Sequence, residues 1–95
     1  MKFKDRDIEA FWNDPDRNIP VRIPPELRRM LYRKLQILDA AYTINDLRIP
    51  PGNRLERLKG DRAKQWSIRV NKQWRLCFIW NEHEAERIEF NDYHE

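Results

Sequence analysis

Two arginines and a tripeptide close to the carboxyl terminus are the residues of this chain best suited to chemistry. Arg69 and Arg75 flank a polar segment, and Asp92, Tyr93 and His94 stand next to the last residue. Metal-free cleavage of RNA needs a base for the 2′-hydroxyl proton, an acid for the departing 5′-oxygen and fixed cations around the phosphate. A histidine with a carboxylate or a tyrosine beside two arginines can supply all three. These residue types therefore fit phosphodiester cleavage if the fold brings them together.

The same residues also allow interpretations without chemistry. A histidine next to a chain end is usually frayed and solvated, and Glu89 could neutralise Arg75. His83, between glutamates in a predicted turn, is expected to be solvated and no ligand. Cys77 is the single cysteine, so it can form no internal disulfide, and we expect it to be a small buried hydrophobic residue.

Positive charge is concentrated in the middle of the chain. Residues 54–80 contain eight Lys and Arg against two Asp and Glu (+6), whereas residues 81–95 contain one against six (−5). Such a patch suits nucleic acid, although an acidic protein would be attracted equally well. Around Gly60 lies a basic loop that could contact phosphates without sequence preference or simply be a soluble surface; its cations are Arg57, Lys59, Arg62 and Lys64.

The length and composition limit the possible architectures. Ninety-five residues support one domain, expected to span 1–95, and 12% aromatic content with four Trp argues against disorder. No apolar run approaches the roughly 20 residues of a membrane span. The amino terminus lacks the apolar region of a signal peptide. We therefore expect a cytoplasmic location.

Two helices are predicted in the first half of the chain. Ile8, Phe11 and Trp12 have helical spacing, ahead of a stop at residues 13–15. A second helix opens at residues 24–25, where proline is tolerated. Its apolar stripe has three- and four-residue steps and consists of Leu27, Met30, Leu31, Leu35, Leu38 and Ala41. A brief helical turn at residues 43–47 and a Pro-Gly turn at 50–53 follow.

After residue 53 the apolar period changes from 3.6 to two, which indicates strands. Alternating segments occupy residues 66–70, 74–80 and 87–91, with a less regular one at 54–59. Helices first and strands second predict an α+β fold: two N-terminal helices on one face of a small, mainly antiparallel twisted sheet.

The length of the turn at residues 71–73 decides which residues face each other. A two-residue turn would bury Arg75, whereas a three-residue turn pairs Val70 with Trp74 and places the large apolar residues on the helix-covered face. In that register Arg69 and Arg75 are cross-strand neighbours on the other face, which Asn91 and Tyr93 are expected to share. Like charges so placed cost stability. A phosphate bound between the two guanidinium groups is the simplest reason to keep them.

Several ordered motifs resemble the HigB toxins of the RelE/ParE toxin–antitoxin superfamily. They occupy residues 39–41, 46–56, 58–62, 65–78 and 92–94, so the similarity covers nearly the whole chain. The resemblance implies a RelE-like fold and a messenger RNA interferase that cuts the codon in the ribosomal A site without metal or cofactor. It also implies a HigA-type helix-turn-helix antitoxin, which inactivates the toxin and with it represses their own operon.

The resemblance also implies roles for individual residues. The family's catalytic Asp-Tyr-His tail matches Asp92, Tyr93 and His94, and its strand arginine matches Arg75. Its RNA-binding lysine matches Lys59; the expected RNA contacts are completed by Arg57, Arg62, Lys64 and Arg69. Some relatives have a histidine where this chain has Glu56. Either that carboxylate replaces it as a base or the terminal histidine carries more of the proton transfer.

Two other functions are compatible with the same resemblance. A ParE-like protein would share the fold and inhibit DNA gyrase by binding alone, without need of a histidine at the tail. A domesticated relative would act mainly as a transcriptional corepressor and would not be toxic.

Overall fold

A computed structural model describes residues 1–92 and contains two helices and one four-stranded sheet. The elements are α1 (Arg6–Asn13), α2 (Arg28–Ala40), β1 (Glu56–Arg57), β2 (Trp66–Arg69), β3 (Arg75–Asn81) and β4 (Glu84–Asn91). The strands lie in sequence order and all pair antiparallel. A parallel bridge from Phe3 to Ile88 attaches the amino terminus to β4. The predicted α+β arrangement is confirmed.

Most of the predicted apolar spacing is confirmed in both helices, but Met30 of the predicted stripe is 44% exposed and Ala41 lies just past the end of α2. In α1, Ile8 and Phe11 are buried, and the helix ends at Asn13, the first residue of the predicted stop. A 3₁₀ turn at Pro25–Leu27 precedes α2, because proline fits the first helical turn where its missing N–H is not needed. Further 3₁₀ turns at Ile44–Arg48 and Pro51–Asn53 correspond to the predicted connections.

The hairpin of β2 and β3 has the three-residue turn. The N–H of Val70 donates to the carbonyl of Trp74 over 2.9 Å. Ile68 pairs with Leu76 farther along the strands. This register confirms the prediction and directs the large apolar side chains toward the helices. We call that side of the sheet the inner face and the opposite side the outer face.

The β3–β4 hairpin differs from the prediction. The glutamate-rich segment read as a turn forms the start of β4, and only Glu82 and His83 lie between the strands. Pairing with β3 overrides the low strand propensity of glutamate. Farther along, the register shifts between Cys77 and Ile79, and Arg87 there adopts a left-handed φ of 52°. This β-bulge adds a residue to β4.

The hydrophobic core lies between the helices and the inner face. Its members from both layers include Ile8, Phe11, Leu31, Leu35, Leu38, Ile68, Leu76, Phe78, Ile88 and Phe90. Trp66, Trp74 and Trp80 pack against this core as predicted, and Trp12 packs on Tyr32 with ring centroids 5.2 Å apart. Within residues 1–92, no helix has the length and apolar character that crossing a bilayer requires.

Candidate active site

Arg75 lies at the start of β3, on the outer face, directly opposite Arg69. Its Nε donates to the Oγ of Ser67 over 2.8 Å, and its Nη2 donates to the carbonyl of Arg54 over 2.7 Å. The side chain is only 12% exposed. Among residues 1–92, the Nη1 of Arg75 has no hydrogen-bond partner. The guanidinium group is therefore held in one orientation and retains a donor for an incoming anion.

The carbonyl that orients Arg75 belongs to a residue with an unusual backbone conformation. Arg54 has a left-handed φ of 44°, which costs a non-glycine residue on the order of 1–2 kcal/mol. The preceding residue, Asn53, is fully buried, and its Nδ2 donates to the carbonyls of Leu47 and Ile49. These contacts fix the loop that presents the Arg54 carbonyl.

A buried lysine fastens this loop to α2. The Nζ of Lys34 donates to the Oδ1 of Asn53 over 2.6 Å, although the lysine is only 7% exposed. Burial, assisted by the charge of Arg33, lowers the pKa of Lys34 below its usual value. A chain of contacts thus runs from α2 through Asn53 and its neighbour to the guanidinium of Arg75.

Glu56 brings a carboxylate to the same place. It lies on β1 opposite Ser67, and its Oε2 is 4.0 Å from the Nη2 of Arg75. Its side chain is 40% exposed, so solvent and a ligand can both reach it. A carboxylate beside a fixed guanidinium can accept a proton from a group that the guanidinium orients.

The sequence left open whether Glu89 neutralises Arg75, and in the structure it does not. Its carboxylate is hydrogen-bonded to Arg62 and to Lys4, the latter over 3.3 Å. Burial alone would raise the pKa of Glu89, but the hydrogen bond and charge of Arg62, together with Lys4, lower it below its usual value. The bond also holds the loop containing Arg62 over the outer face.

Cys77 is buried beneath this ion pair, as the sequence predicted. Its side chain is fully buried although it lies on the outer face. Burial, followed by the nearby charge of Glu89, raises the pKa of the thiol to about 11. A thiol so strongly protonated is a poor nucleophile.

The other predicted RNA contacts lie on β1, on β2 and in the loop between them. Arg57 donates to the carbonyl of Ala63 over 2.7 Å and lies above the ring of Trp66, so it supports the basic loop. Lys59 and Lys64 are exposed on that loop. Arg69 lies directly opposite Arg75. Arg57, by contrast, pairs with Trp66, whose side chain packs against the core, and so does not share the outer face.

The carboxyl-terminal prediction is only partly covered by the described residues. Asp92 is exposed, and its Oδ2 accepts a hydrogen bond of 2.9 Å from Gln73 in the β2–β3 turn. The strand therefore ends beside the hairpin that carries Arg75. Tyr93 and His94 lie outside the residues that the structure describes.

The sequence did not identify the groups that orient Arg75. Ser67 carried a signal, since a small polar residue on the outer face of an apolar strand leaves room for a long neighbour. The Arg54 carbonyl carried none, because its direction depends on a backbone angle.

Comparison with known proteins gives a consistent family. A family model described as the RelE-like toxin of the type II toxin–antitoxin system HigB matches residues 1–94. The chain is 51% identical over 80 residues to Toxin HigB-1 of Vibrio cholerae serotype O1, covering 84% of this chain and 82% of that protein. It is 30% identical over 96 residues to Endoribonuclease HigB of Proteus vulgaris, covering 97% and 96%.

Proposed function

This chain belongs to the RelE-like HigB toxins of type II toxin–antitoxin systems, and we propose that it is a ribosome-dependent endoribonuclease that cleaves messenger RNA without metal. The endoribonuclease name of the Proteus vulgaris relative supports this activity. Cleavage of the codon being read would stop translation in the cytoplasm. As a toxin of such a system, the protein has a cognate antitoxin, which we propose is a HigA-type helix-turn-helix protein that also brings it to operator DNA.

The observation that carries the proposal is the fixed guanidinium of Arg75. Ser67 and the Arg54 carbonyl hold it on a basic outer face, with Glu56 at 4.0 Å. Preorganised cations aimed at a phosphate are worth several kcal/mol in a transition state, because no reorganisation is needed during the reaction.

We assign the proposed roles as follows. Arg75, with Arg69 beside it, binds the scissile phosphate. Glu56, Asp92 and His94 divide the proton transfers to and from the ribose and the leaving oxygen. Tyr93 positions a base by stacking. The remaining contacts to the RNA strand come from Arg57, Lys59, Arg62 and Lys64.

Primer extension on ribosome-bound transcripts tests the proposal. Induction of the wild-type chain should give new 5′ ends within codons and stop growth, whereas Arg75→Ala should give neither and still bind the antitoxin. A chain ending at Asp92 should also lose cleavage. Growth arrest without new 5′ ends, or inhibition of gyrase by the purified protein, would contradict the ribonuclease function.

A further inference from the structure

A second concave site lies on the outer face, beyond the Arg62–Glu89 ion pair as seen from Arg75. It is a cavity of about 380 Å³ between the loop of residues 60–65 and the sheet, bounded by Ile79 of β3 and Arg87 of β4. Its volume falls in the range of small-ligand sites. The roles assigned so far include Arg62 and Lys64 from its lining, but neither Arg87 nor the cavity as a binding site.

The charges around the cavity favour an anion. Arg62, Lys64 and Arg87 line it, against the single carboxylate of Asp61. Lys64 and Arg87 are exposed, and the guanidinium of Arg62 bridges to Glu89 at the border with the Arg75 site. Ile79 adds an apolar wall on which a ribose or a base can rest.

The backbone at Arg87 is strained, and this strain belongs to the β-bulge that shifts the register of β4. Arg87 occupies the left-handed region at the β-bulge, where glycine would fit at no steric cost. A large cationic residue at such a position costs stability. The same bulge places the exposed Arg87 in the lining of the cavity, and strained residues of this kind cluster at ligand sites.

The cavity and Arg75 are aligned on the same face. Arg75, Cys77 and Ile79 alternate toward the outer face, so the cavity wall lies four residues along β3 from Arg75, about 13 Å at strand spacing. One phosphate cannot occupy both places. A single strand of RNA that lies along β3 can occupy both places, with one of its phosphates at Arg75 and another in the cavity.

We propose that this cavity is a second RNA subsite, in which Arg87 and Lys64 bind a backbone phosphate of the single-stranded RNA that flanks the linkage held at Arg75. The inference rests on the proposed ribonuclease function for the identity of the strand. It adds Arg87, which lies outside the basic middle segment and which no motif indicated, to the residues that bind RNA. The subsite gives affinity and register, while Arg75 acts on the linkage that is cut.

Binding of a short RNA to the full-length chain tests the subsite separately from cleavage. The probe is a labelled single strand of about ten nucleotides with 2′-O-methyl sugars, because single-strand sites have this size and the missing 2′-hydroxyl prevents the reaction. Arg87→Ala should weaken binding about tenfold at low salt, as expected for one charge-assisted contact. The slope of log K against log salt should fall by about 0.7, since one phosphate is no longer neutralised. Arg87→Lys should keep most of the affinity.

Arg87→Gly distinguishes a ligand contact from a structural role. Glycine relieves the left-handed strain, so this variant should melt at a higher temperature than the wild type and yet bind RNA as weakly as Arg87→Ala. Arg33→Ala, which removes an exposed arginine from α2 on the helical side, is the matched control and should bind as the wild type. Wild-type affinity in Arg87→Gly, or no binding of the probe by the wild-type chain at low salt, would overturn the subsite.

The same variants separate this inference from the proposed function. Unchanged RNA affinity in Arg87→Ala, combined with cleavage that depends on Arg75, would overturn the subsite alone. Affinity that depends on Arg87, combined with no cleavage by the wild-type chain on ribosomes, would overturn the ribonuclease function alone.

Discussion

The ammonium group of Lys34 lies inside the protein and donates a 2.6 Å hydrogen bond to the side-chain oxygen of Asn53. This contact joins α2 to the loop whose next residue orients Arg75. Stability and the position of Arg75 are therefore coupled through one buried pair.

A double-mutant cycle should detect this coupling. Asn53→Leu leaves the buried ammonium without its partner and should lower the free energy of unfolding by about 3 kcal/mol or more. Lys34→Met combined with Asn53→Leu should cost less than Asn53→Leu alone, because no charge is then left unpaired. Urea unfolding of the four proteins measures the interaction. Strict additivity of the two substitutions would show that the pair does not act as a unit.

Ser67→Ala should reduce cleavage more than it reduces stability. It removes the hydroxyl that holds the Nε of Arg75, so the guanidinium loses part of its fixed orientation. We expect a fall in the cleavage rate of about tenfold, with a melting temperature close to that of the wild type. Cys77→Ala is the matched control, since this neighbour is equally buried on the outer face and makes no hydrogen bond to Arg75. Equal rates for the two variants would remove Ser67 from the site.

Glu56→Gln tests whether the carboxylate near Arg75 transfers a proton. Loss of a general base should reduce cleavage by about 10²–10⁴ and remove the acidic limb of the pH–rate profile. Glu56→Asp should retain part of the rate. A loss below about tenfold with an unchanged pH profile would leave the proton transfer to the carboxyl-terminal residues.

Glu89 should make stability depend on pH in the acidic range. Its folded-state pKa lies below the usual 4.5 because Arg62 and Lys4 outweigh burial. The stabilisation is therefore fully present above pH 4.5 and is lost as the pH falls through the folded-state pKa. Glu89→Gln should lower the free energy of unfolding by about 1–2 kcal/mol at neutral pH, and the difference from the wild type should shrink in acid. Glu9→Gln, an exposed change on α1, should show no such convergence.

Cys77 should resist alkylation in the folded protein. With a pKa of about 11, few of the thiols are ionised at pH 8, and the side chain is fully buried. Iodoacetamide should label it slowly in native buffer and at the rate of a free thiol in urea. Rapid labelling in native buffer would mean that the loop over the outer face opens readily.

The placement of Arg75 opposite Arg69 could be predicted because strand alternation and turn length leave few registers. One register buries every large apolar residue, and that register is observed. The orientation of Arg75 could not be predicted, since it depends on the φ angle of Arg54. This angle is supported by the hydrogen bond from Lys34 to Asn53. That bond reaches an irregular turn, whose sequence has no hydrophobic period from which its structure could be predicted.

The start of β4 was missed for a related reason. Glu84 and Glu86 alternate with Ala85, but glutamate is common in solvated turns and Ala85 is too small to suggest a core position. Partners on β3 make this segment a strand, and pairing of that kind is invisible to local propensity.

The extra residue at Arg87 reverses the alternation of inward-facing and outward-facing side chains along β4. Before it, Ala85 turns inward at an odd position; after it, Ile88 and Phe90 turn inward at even positions. The strand residues after the bulge follow the new alternation, so Glu89 and Asn91 point the same way as Arg75. Deletion of this extra residue would thus exchange the two sides of the strand end and turn Glu89 and Asn91 away from the face that carries Arg75.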